Sequence, residues 1–286
     1  MTRWLVVGAS GMLGTDLVTT LRATAHDVTG WSHTDLDITD PAQVTDQVVG
    51  FDVVVNAAAW TAVDAAETHE AEAFTVNAVG AANLATACET AGSTLVQVST
   101  DYVLDGSART PAPVDAPIAP RTAYGRTKAA GEWAVRATCA RHYVVRTAYL
   151  YGEHGPNLVK TMARLAEERD TVQVVNDQWI QPTWTIDLAE AIVRLVDADA
   201  PYGVWHGTSS GATTVWEFAR AIFHGLGHDA DRVLPTTLAA YPSATPRPAY
   251  SVLSHDRWTD AGVTALPEWD NALSRFLGQA DLAGAR

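Results

Sequence analysis

The chain has 286 residues, 47% of them hydrophobic and 18% charged, enough to bury a full core in one large domain or two smaller ones. Its formal net charge of −14 argues against nucleic acid or an anionic membrane surface as a partner. The opening MTRWLVVGAS is a poor signal peptide, and no apolar run reaches the length of a membrane span. Cys88 and Cys139 lie in Ala-rich helical contexts typical of reduced thiols, so we expect a cytoplasmic protein.

In chain order, short apolar runs alternate with helical patterns over the first 150 residues. Buried strands are predicted at 3–8, 27–32, 52–59, 94–100 and 143–152. Helices are predicted at 12–25, 40–50, 69–92 and from residue 123, after a Pro-rich loop that ends at residue 122. This alternation predicts βαβ units and an α/β fold with a doubly wound parallel sheet, of the Rossmann-like kind.

After residue 152 the order is less regular. The patterns predict helices at 157–169, 185–198 and 213–227, and a strand at 171–177. We therefore expect a dinucleotide-binding domain at 1–150 and a smaller α/β domain at 151–286. A segment at about 178–205 is expected to rejoin the first domain.

The stretch GASGMLG, residues 8–14, spaces Gly8, Gly11 and Gly14 as GxxGxxG. It follows a predicted strand and opens a predicted helix. Glycines there permit a tight turn and a close approach of the backbone to a pyrophosphate at the helix N-terminus. At the first βα turn of an alternating chain, this motif predicts a dinucleotide site.

The end of the second strand bears on the choice of cofactor. NAD enzymes place an acid there to bind the ribose hydroxyls, whereas this strand ends in Trp31, Ser32 and His33. Asp35 and Asp37 come a few residues later. Since Ser32 and His33 would tolerate a 2′-phosphate, the sequence favours NADPH, and NADH stays an alternative. His33 also fits an ordinary surface loop.

The stretch AYGRTKAAGE places Tyr124 and Lys128 on one helix face, in a chain that has only two lysines and seventeen arginines. An ammonium beside a tyrosine is expected to lower the pKa of the phenol, and arginine is a poor substitute in that role. Ser99 or Thr100, at the end of the fourth strand, is expected to supply a hydroxyl to the same substrate oxygen. Taken alone, the pair also fits an exposed aromatic–lysine contact.

Together these stretches resemble an extended short-chain dehydrogenase/reductase, and more narrowly the dTDP-4-dehydrorhamnose reductase family. The resemblance runs from residue 8 to residue 253 and rests on GASGMLG, LDITD, VVNAAAWTAVDAAE, VNAVGAANLA, VSTDYV, YGRTKAAGE, RTAYLYG, NLVKTMARLA, DQWIQPT and RPAYSVL. It implies a catalytic triad of Thr100, Tyr124 and Lys128. It also implies hydride transfer from NADPH to a dTDP-linked keto-deoxysugar, and we expect a monomer or homodimer. Some members of the family carry a metal at a dimer interface, but this sequence shows no His/Cys/Asp/Glu cluster with ligand spacing, so we expect no metal.

The resemblance implies further roles by position. Asp37 and Ile38 would flank the adenine, and Arg247 would meet the nucleotide diphosphate. The predicted cofactor residues are Gly8, Ser10, Gly11, Met12, Leu13, Gly14, Ser32, His33, Asp37, Ile38, Ala57, Ala58, Ala59, Asn77, Tyr124 and Lys128. The predicted substrate residues are Thr61, Val63, Asp101, Tyr102, Tyr149, Trp184 and Arg247.

Departures from the family pattern lie near the sugar. Tyr149 stands where the family often has tryptophan, Trp60 where it often has tyrosine, and Trp179 and Trp184 are bulkier than expected.

The default substrate is dTDP-4-dehydrorhamnose. An antibiotic deoxysugar reductase, such as one making dTDP-dihydrostreptose, remains an alternative. So does a non-catalytic subunit like the regulatory partner of methionine adenosyltransferase. The Asp101–Tyr102 pair lacks the glutamate of sugar dehydratases and disfavours dehydration, and the missing strand-end acid argues mildly against an epimerase.

Overall fold

The computed structural model describes residues 1–240 and 245–280. Its strands are β1 (Arg3–Val7), β2 (Asp27–Trp31), β3 (Val53–Asn56), β4 (Thr94–Thr100), β5 (His142–Thr147), β6 (Leu150–Tyr151), β7 (Val172–Val175), β8 (Trp179–Ile180), β9 (Thr183–Trp184), β10 (Gly203–His206), β11 (Thr213–Thr214) and β12 (Val233–Thr236). Its α-helices are α1 (Met12–Arg22), α2 (Pro41–Val48), α3 (Val63–Ala66), α4 (Glu70–Phe74), α5 (Gly80–Ala91), α6 (Ala123–Thr138), α7 (Leu158–Glu168), α8 (Thr185–Asp197), α9 (Val215–Gly225), α10 (Asp256–Asp260) and α11 (Trp269–Gln279).

The central sheet has six parallel strands in the order β10-β5-β4-β3-β1-β2. Both faces are covered, which is why β1 and β3 read as continuous apolar runs. On one face Leu17 of α1 and Leu188 of α8 pack beneath the sheet. On the other face Val44 of α2, Leu84 of α5 and neighbouring apolar side chains form a second layer. The predicted doubly wound α/β fold is confirmed.

The strand order reverses beside β1, because the chain places β2 on one side of it and β3 on the other. At such a switch point the loops after neighbouring strands diverge and leave a crevice at their carboxyl ends. The loop after β1 and the loop after β3 therefore frame the expected ligand site. The tip of β4 lies next along the same edge.

The C-terminal half has its own core, where α7, α9 and α11 surround the parallel pair β7 and β12. Two elements of this half return to the first sheet: α8 packs near α1, and β10 extends the sheet beside β5. We propose the division into 1–150, rejoined by about 178–205, and 151–286 on this basis. Residues 241–244 and 281–286 of the second unit lie outside the described residues.

Two predicted elements differ from the structure. The single helix predicted at 69–92 is interrupted by a π-helical turn at Thr75–Val79, between α4 and α5. The strand predicted at 143–152 is split into β5 and β6, because Tyr149 adopts a left-handed backbone with φ 47°. Hydrophobic periodicity detects neither change, since both depend on contacts with other elements.

None of the helices formed by residues 1–240 and 245–280 is long and apolar enough to cross a membrane.

Candidate active site

The glycine motif forms the floor of a groove at the switch point. Gly8 has φ +81°, and its backbone N–H donates to the carbonyl of Trp31 at 2.9 Å. A Cβ on Gly8 would lie 2.6 Å from Ala58 N, and a Cβ on Gly14 would lie 2.1 Å from the carbonyl oxygen of Gly8. The spacing GxxGxxG is thus required by the close packing of the first loop against α1 and the end of β3.

The groove has a volume of about 650 Å³. Nine of the predicted cofactor residues line it: Gly8, Ser10, Gly11, His33, Asp37, Ile38, Ala57, Ala58 and Ala59. The structure adds wall residues that the sequence argument missed: Val7, Leu36, Thr39, Trp60, Glu72, Thr75 and Val76. The last three belong to the interrupted helix after β3, so a continuous helical pattern gave no sign that they face a ligand site.

Other predicted cofactor residues lie next to the groove without lining it. Leu13 is buried in the core under the sheet, and Met12 is the first residue of α1. The side chain of Asn77 accepts from Trp60 N at 2.9 Å and donates to Trp60 O and to Thr127 Oγ1. These bonds occupy its amide group. Asn77 therefore supports the wall through Trp60, and its role in binding the cofactor stays a prediction.

The end of β2 carries an acid that the linear spacing concealed. Asp35 Oδ2 accepts from Ser32 N at 2.8 Å and from Ser32 Oγ at 2.7 Å, and these bonds lower the pKa of the Asp35 carboxyl. A tight turn folds Asp35 back onto the strand end. The premise that no acid lies at this tip is corrected by the structure.

Tyr124 and Lys128 lie on the first turns of α6, whose N-terminus is capped by Thr122, with its hydroxyl accepting from Gly125 N at 3.0 Å. Both side chains are buried. Lys128 Nζ donates to the carbonyl of Val98 at 2.8 Å, and burial lowers the pKa of its ammonium to about 8 against the opposing effect of Glu132.

The expected lowering of the pKa of Tyr124 is not found. Burial raises this pKa, the nearby Asp101 raises it further, and a hydrogen bond with Thr100 only partly opposes them. The ammonium of Lys128 is directed at a backbone carbonyl of β4, and this accounts for the difference. Tyr124 is thus a protonated phenol at neutral pH, which suits a proton donor.

The structure distinguishes the two candidate hydroxyls at the end of β4. Ser99 Oγ donates to buried Glu132 Oε1 at 2.6 Å and is directed away from the tyrosine. Thr100 Oγ1 accepts from Tyr102 N at 3.2 Å and donates to Asp101 Oδ1 at 2.9 Å. Because successive strand residues face opposite sides, Thr100 is the one beside Tyr124.

Apolar and aromatic side chains pack against the ring of Tyr124. Val63 and Tyr102 pack in one cluster with Tyr124, and the rings of Tyr102 and Tyr124 meet edge to face at 5.7 Å. Trp60 belongs to this cluster and also lines the groove, so the two sites are continuous. Thr61 is exposed in the intervening loop.

Tyr149 completes this wall from the loop after β5. Its left-handed backbone is uncommon for a bulky residue, and such strain is a feature of functional sites. Burial raises its pKa, and Tyr102, Asp101 and Arg247 are the charged or titratable neighbours that act on it. The structure thus brings five predicted substrate residues together: Val63, Asp101, Tyr102, Tyr149 and Arg247.

Arg247 spans the mouth of this pocket. Its Nη1 donates to Tyr102 Oη at 3.3 Å, and its Nη2 donates to both carboxylate oxygens of Asp64 at 2.8 and 2.7 Å. Asp64 is the first acid after the predicted pocket residue Val63, but no sequence signal pairs it with a residue so distant along the chain. A guanidinium in this position suits a diphosphate.

Trp184 lies elsewhere. Its ring is buried in the C-terminal core, edge to face with Phe276 at 5.9 Å, and the guanidinium of Arg275 stacks on it at 5.0 Å. The structure therefore places the ring of Trp184 in the C-terminal core, and its predicted contact with the substrate stays a prediction. The short strands β8 and β9 decide which side chains turn inward, and two-residue strands leave no readable period.

A dinucleotide-type groove at the switch point, with a tyrosine–lysine pair beside a strand-end threonine, defines an oxidoreductase of the short-chain dehydrogenase/reductase class. The family model described as the RmlD substrate binding domain matches residues 2–282. The chain belongs to this family, the dTDP-4-dehydrorhamnose reductases, as its motifs predicted.

Relatives and solved structures agree. The chain is 48% identical to a dTDP-4-dehydrorhamnose reductase of Streptomyces griseus, over 95% of this chain and 92% of the relative. It is 47% identical to a dTDP-4-keto-6-deoxy-D-glucose reductase of Streptomyces niveus, over 96% of each. A crystal structure of dTDP-4-dehydrorhamnose reductase from Bacillus anthracis in complex with NADP is 35% identical and superposes with a TM-score of 0.94, over 98% of this chain and 100% of that one.

Proposed function

We propose that this protein reduces the 4-keto group of a dTDP-linked 6-deoxysugar with NADPH, and that dTDP-4-dehydrorhamnose, giving dTDP-L-rhamnose, is its substrate. The observation that carries the proposal is the buried Tyr124 hydroxyl beside Thr100, at the point where the switch-point groove meets the pocket under Arg247. The names of the relatives, and the NADP in the Bacillus anthracis structure, support the same chemistry.

The groove fits a dinucleotide. Its floor is bare backbone at Gly8 and Gly11, where a Cβ on Gly8 would collide with Ala58. The N-terminus of α1 presents its free N–H groups to the same space, and a pyrophosphate is stabilised there. We propose that Asp37 and Ile38 contact the adenine and that Ala57, Ala58 and Ala59 line the diphosphate. NADPH, when bound, supplies the hydride.

In this proposal Tyr124 donates its proton to the substrate oxygen as the carbonyl carbon is reduced. The buried phenol keeps that proton until negative charge develops on the substrate. Thr100 lies beside Tyr124 and orients the Tyr124 hydroxyl through a hydrogen bond. Lys128, with a pKa of about 8, remains largely cationic at neutral pH and adds positive charge to the site. General acid help of this kind contributes roughly 10²–10⁴-fold.

Arg247 is proposed to bind the diphosphate of the nucleotide sugar. Its guanidinium lies at the mouth of the aromatic pocket and is already ordered by Tyr102 and Asp64. A bidentate donor of this type matches the paired oxygens of a phosphate group. The aromatic walls Tyr102 and Tyr149 would then enclose the sugar.

A second candidate is an antibiotic deoxysugar reductase with a related keto-sugar substrate. The relative from Streptomyces niveus, a dTDP-4-keto-6-deoxy-D-glucose reductase, is as similar to this chain as the rhamnose enzymes are. Trp60 and Tyr149, both departures from the family pattern, lie in the walls that would contact the sugar. A purely regulatory role is disfavoured, because Thr100, Tyr124 and Lys128 are all present and grouped.

The deciding experiment follows NADPH oxidation by the purified protein. dTDP-glucose is converted in place by a 4,6-dehydratase, with or without the 3,5-epimerase that forms dTDP-4-dehydrorhamnose. Turnover that needs the epimerase supports the rhamnose reaction, and turnover without it supports the second candidate. NADPH binding with no turnover in either case would contradict an enzymatic role on these sugars.

A variant tests the proton donor directly. Tyr124→Phe should lose at least about 100-fold in kcat while still binding NADPH, because only the phenolic proton is removed. Near-normal turnover would exclude Tyr124 from this role.

We further propose a cytoplasmic setting and a monomer or homodimer, without nucleic acid or membrane partners. The free, buried state of Cys88 and Cys139 supports the reducing compartment.

A further inference from the structure

A continuous path of hydroxyl and carboxyl groups leads away from the catalytic tyrosine. Tyr124 is hydrogen-bonded with Thr100, and Thr100 Oγ1 donates to Asp101 Oδ1 at 2.9 Å. All three side chains are buried. Such a file of exchangeable protons can move a proton by short transfers between neighbouring oxygen atoms.

The path ends at a cavity on the side of Asp101 remote from the groove. This cavity has a volume of about 290 Å³, and its walls come from the Pro-rich loop after Leu104 and from residues 248–253. Its outer rim includes exposed loop residues such as Ser107 and Thr110, so it leads towards solvent. It has room for several water molecules.

The inner end of the cavity is polar. Asp101 Oδ2 and Ser251 Oγ are buried there, near enough for the Ser251 hydroxyl to lower the pKa of Asp101, but neither has a hydrogen-bond partner at bonding distance among the described residues. Buried polar atoms are costly when unpaired, and water in a roomy polar cavity is the ordinary way to satisfy them. Asp101 therefore has one oxygen towards Thr100 and a second, buried oxygen without a partner at bonding distance, in a residue that lines the cavity.

The surroundings of Asp101 bring the pKa of its carboxyl group close to neutral pH. Tyr102 on its own turn, Tyr124 of α6 and Tyr149 after β5 are the titratable groups that face it, and all are neutral phenols. Burial raises the pKa of Asp101 to about 6, although the hydroxyls of Ser251 and Thr100 lower it. The ammonium of Lys128 is engaged with a backbone carbonyl and does not pair with this carboxyl.

We propose that Asp101, through Thr100, returns the proton that Tyr124 loses in each turnover, and that Asp101 is recharged by water in the cavity. The proposal rests on the reduction proposed above. After Tyr124 has protonated the substrate oxygen, its phenolate takes the hydroxyl proton of Thr100. The Thr100 hydroxyl, which donates to Asp101 before turnover, turns towards the phenolate and takes the proton of the Asp101 carboxyl in exchange. The resulting carboxylate takes up one proton from bulk solvent, carried through the cavity water as hydronium, so that each turnover consumes one solvent proton and leaves no hydroxide.

The test uses the full-length protein with NADPH and the enzymatically generated keto-sugar, in rapid-mixing and steady-state experiments. Asp101→Asn keeps the shape of the side chain but cannot pass a proton from the cavity to Thr100. Because Tyr124 begins protonated, the first turnover of this variant should be near the wild-type rate. The following turnovers should slow at least about tenfold, so that a burst of NADPH oxidation appears.

Asp105→Asn is the matched control. Asp105 is an exposed carboxylate that lines the same cavity and bonds to Ser107, not to Thr100. Asp105→Asn should leave the rate of the first turnover and the steady-state rate unchanged. Ala116→Leu narrows the cavity from the loop side and should reproduce the burst without altering Asp101, which keeps the proposal testable if Asp101→Asn folds poorly.

The outcomes are distinct. A slowed first turnover in Asp101→Asn, without a burst, would overturn the relay and leave Asp101 as a structural or substrate-contact residue. Wild-type rates in both phases for Asp101→Asn and Ala116→Leu would also overturn it. Absence of turnover in the wild-type protein would contradict the proposed function instead, because the relay is judged only from ratios to wild type.

Discussion

The pair formed by Glu132 and Arg146 allows a stability prediction with a definite size. Glu132 Oε1 accepts from Arg146 Nε at 2.9 Å, and Oε2 accepts from Arg146 Nη2 at 2.8 Å. The two side chains are 0% and 1% exposed. Ser99 also donates to Glu132, so every oxygen of this carboxylate is used. The pair fastens α6, which carries Tyr124 and Lys128, to β4 and β5.

Glu132→Gln removes the negative charge and leaves the guanidinium of Arg146 buried and uncompensated. The NH₂ group of the glutamine then takes the place of one carboxylate oxygen. It faces an N–H of Arg146 or the hydroxyl of Ser99, so two donors oppose each other. Breaking a buried pair in this way costs about 3–5 kcal/mol of the free energy of unfolding. For a chain of this size that corresponds to a fall in Tm on the order of 10 °C. Urea and thermal denaturation followed by circular dichroism would measure both.

Glu168→Gln is the matched control. Glu168 pairs with Arg164 on α7, but these side chains are 47% and 48% exposed. Removing an exposed i,i+4 pair costs about 0.3–0.5 kcal/mol. If Glu132→Gln lost no more stability than Glu168→Gln, the argument that the buried pair fastens the catalytic helix would be refuted.

Three further variants test the groove and the pocket mouth. Gly14→Ala should weaken NADPH binding at least about tenfold, because its Cβ would lie 2.1 Å from the carbonyl oxygen of Gly8 and the loop must move; fluorescence titration measures this. Asp64→Asn should tighten dTDP binding by roughly 2–10-fold, as measured by calorimetry, because a diphosphate no longer competes with a carboxylate for Arg247. Asp35→Asn should raise the ratio of kcat/KM for NADPH over NADH, because it removes a negative charge from the end of β2.

Their controls lie on open surface. A Cβ on Gly278 of α11 would meet no atom within 4 Å, so Gly278→Ala should leave NADPH binding intact. Asp46→Asn removes an exposed carboxylate from α2 and should change neither dTDP affinity nor cofactor preference. Weaker dTDP binding in Asp64→Asn would mean that Asp64 orients Arg247 productively. An unchanged cofactor ratio in Asp35→Asn would exclude this carboxylate from cofactor selection.

Local sequence signals predicted the parts of the protein that depend on neighbouring residues. Continuous apolar runs identified the strands of a sheet covered on both faces, and glycine spacing identified the first βα turn. The i,i+4 relation of Tyr124 and Lys128 followed from helix geometry alone. These features are local because strand and helix periods, and tight turns, are written in a few consecutive residues.

Only the tertiary structure decided which side chains meet across long separations. Arg247 forms an ion pair with Asp64, and Asp35 folds back onto Ser32. The ammonium of Lys128 donates to the backbone carbonyl of Val98 and not to the phenol of Tyr124. Trp184 turned into the C-terminal core for the same kind of reason. Such pairings depend on how loops close and how elements stack. The chemistry of the motifs was therefore evident from the sequence, while the charges, burial and proton path around Tyr124 were set by the fold.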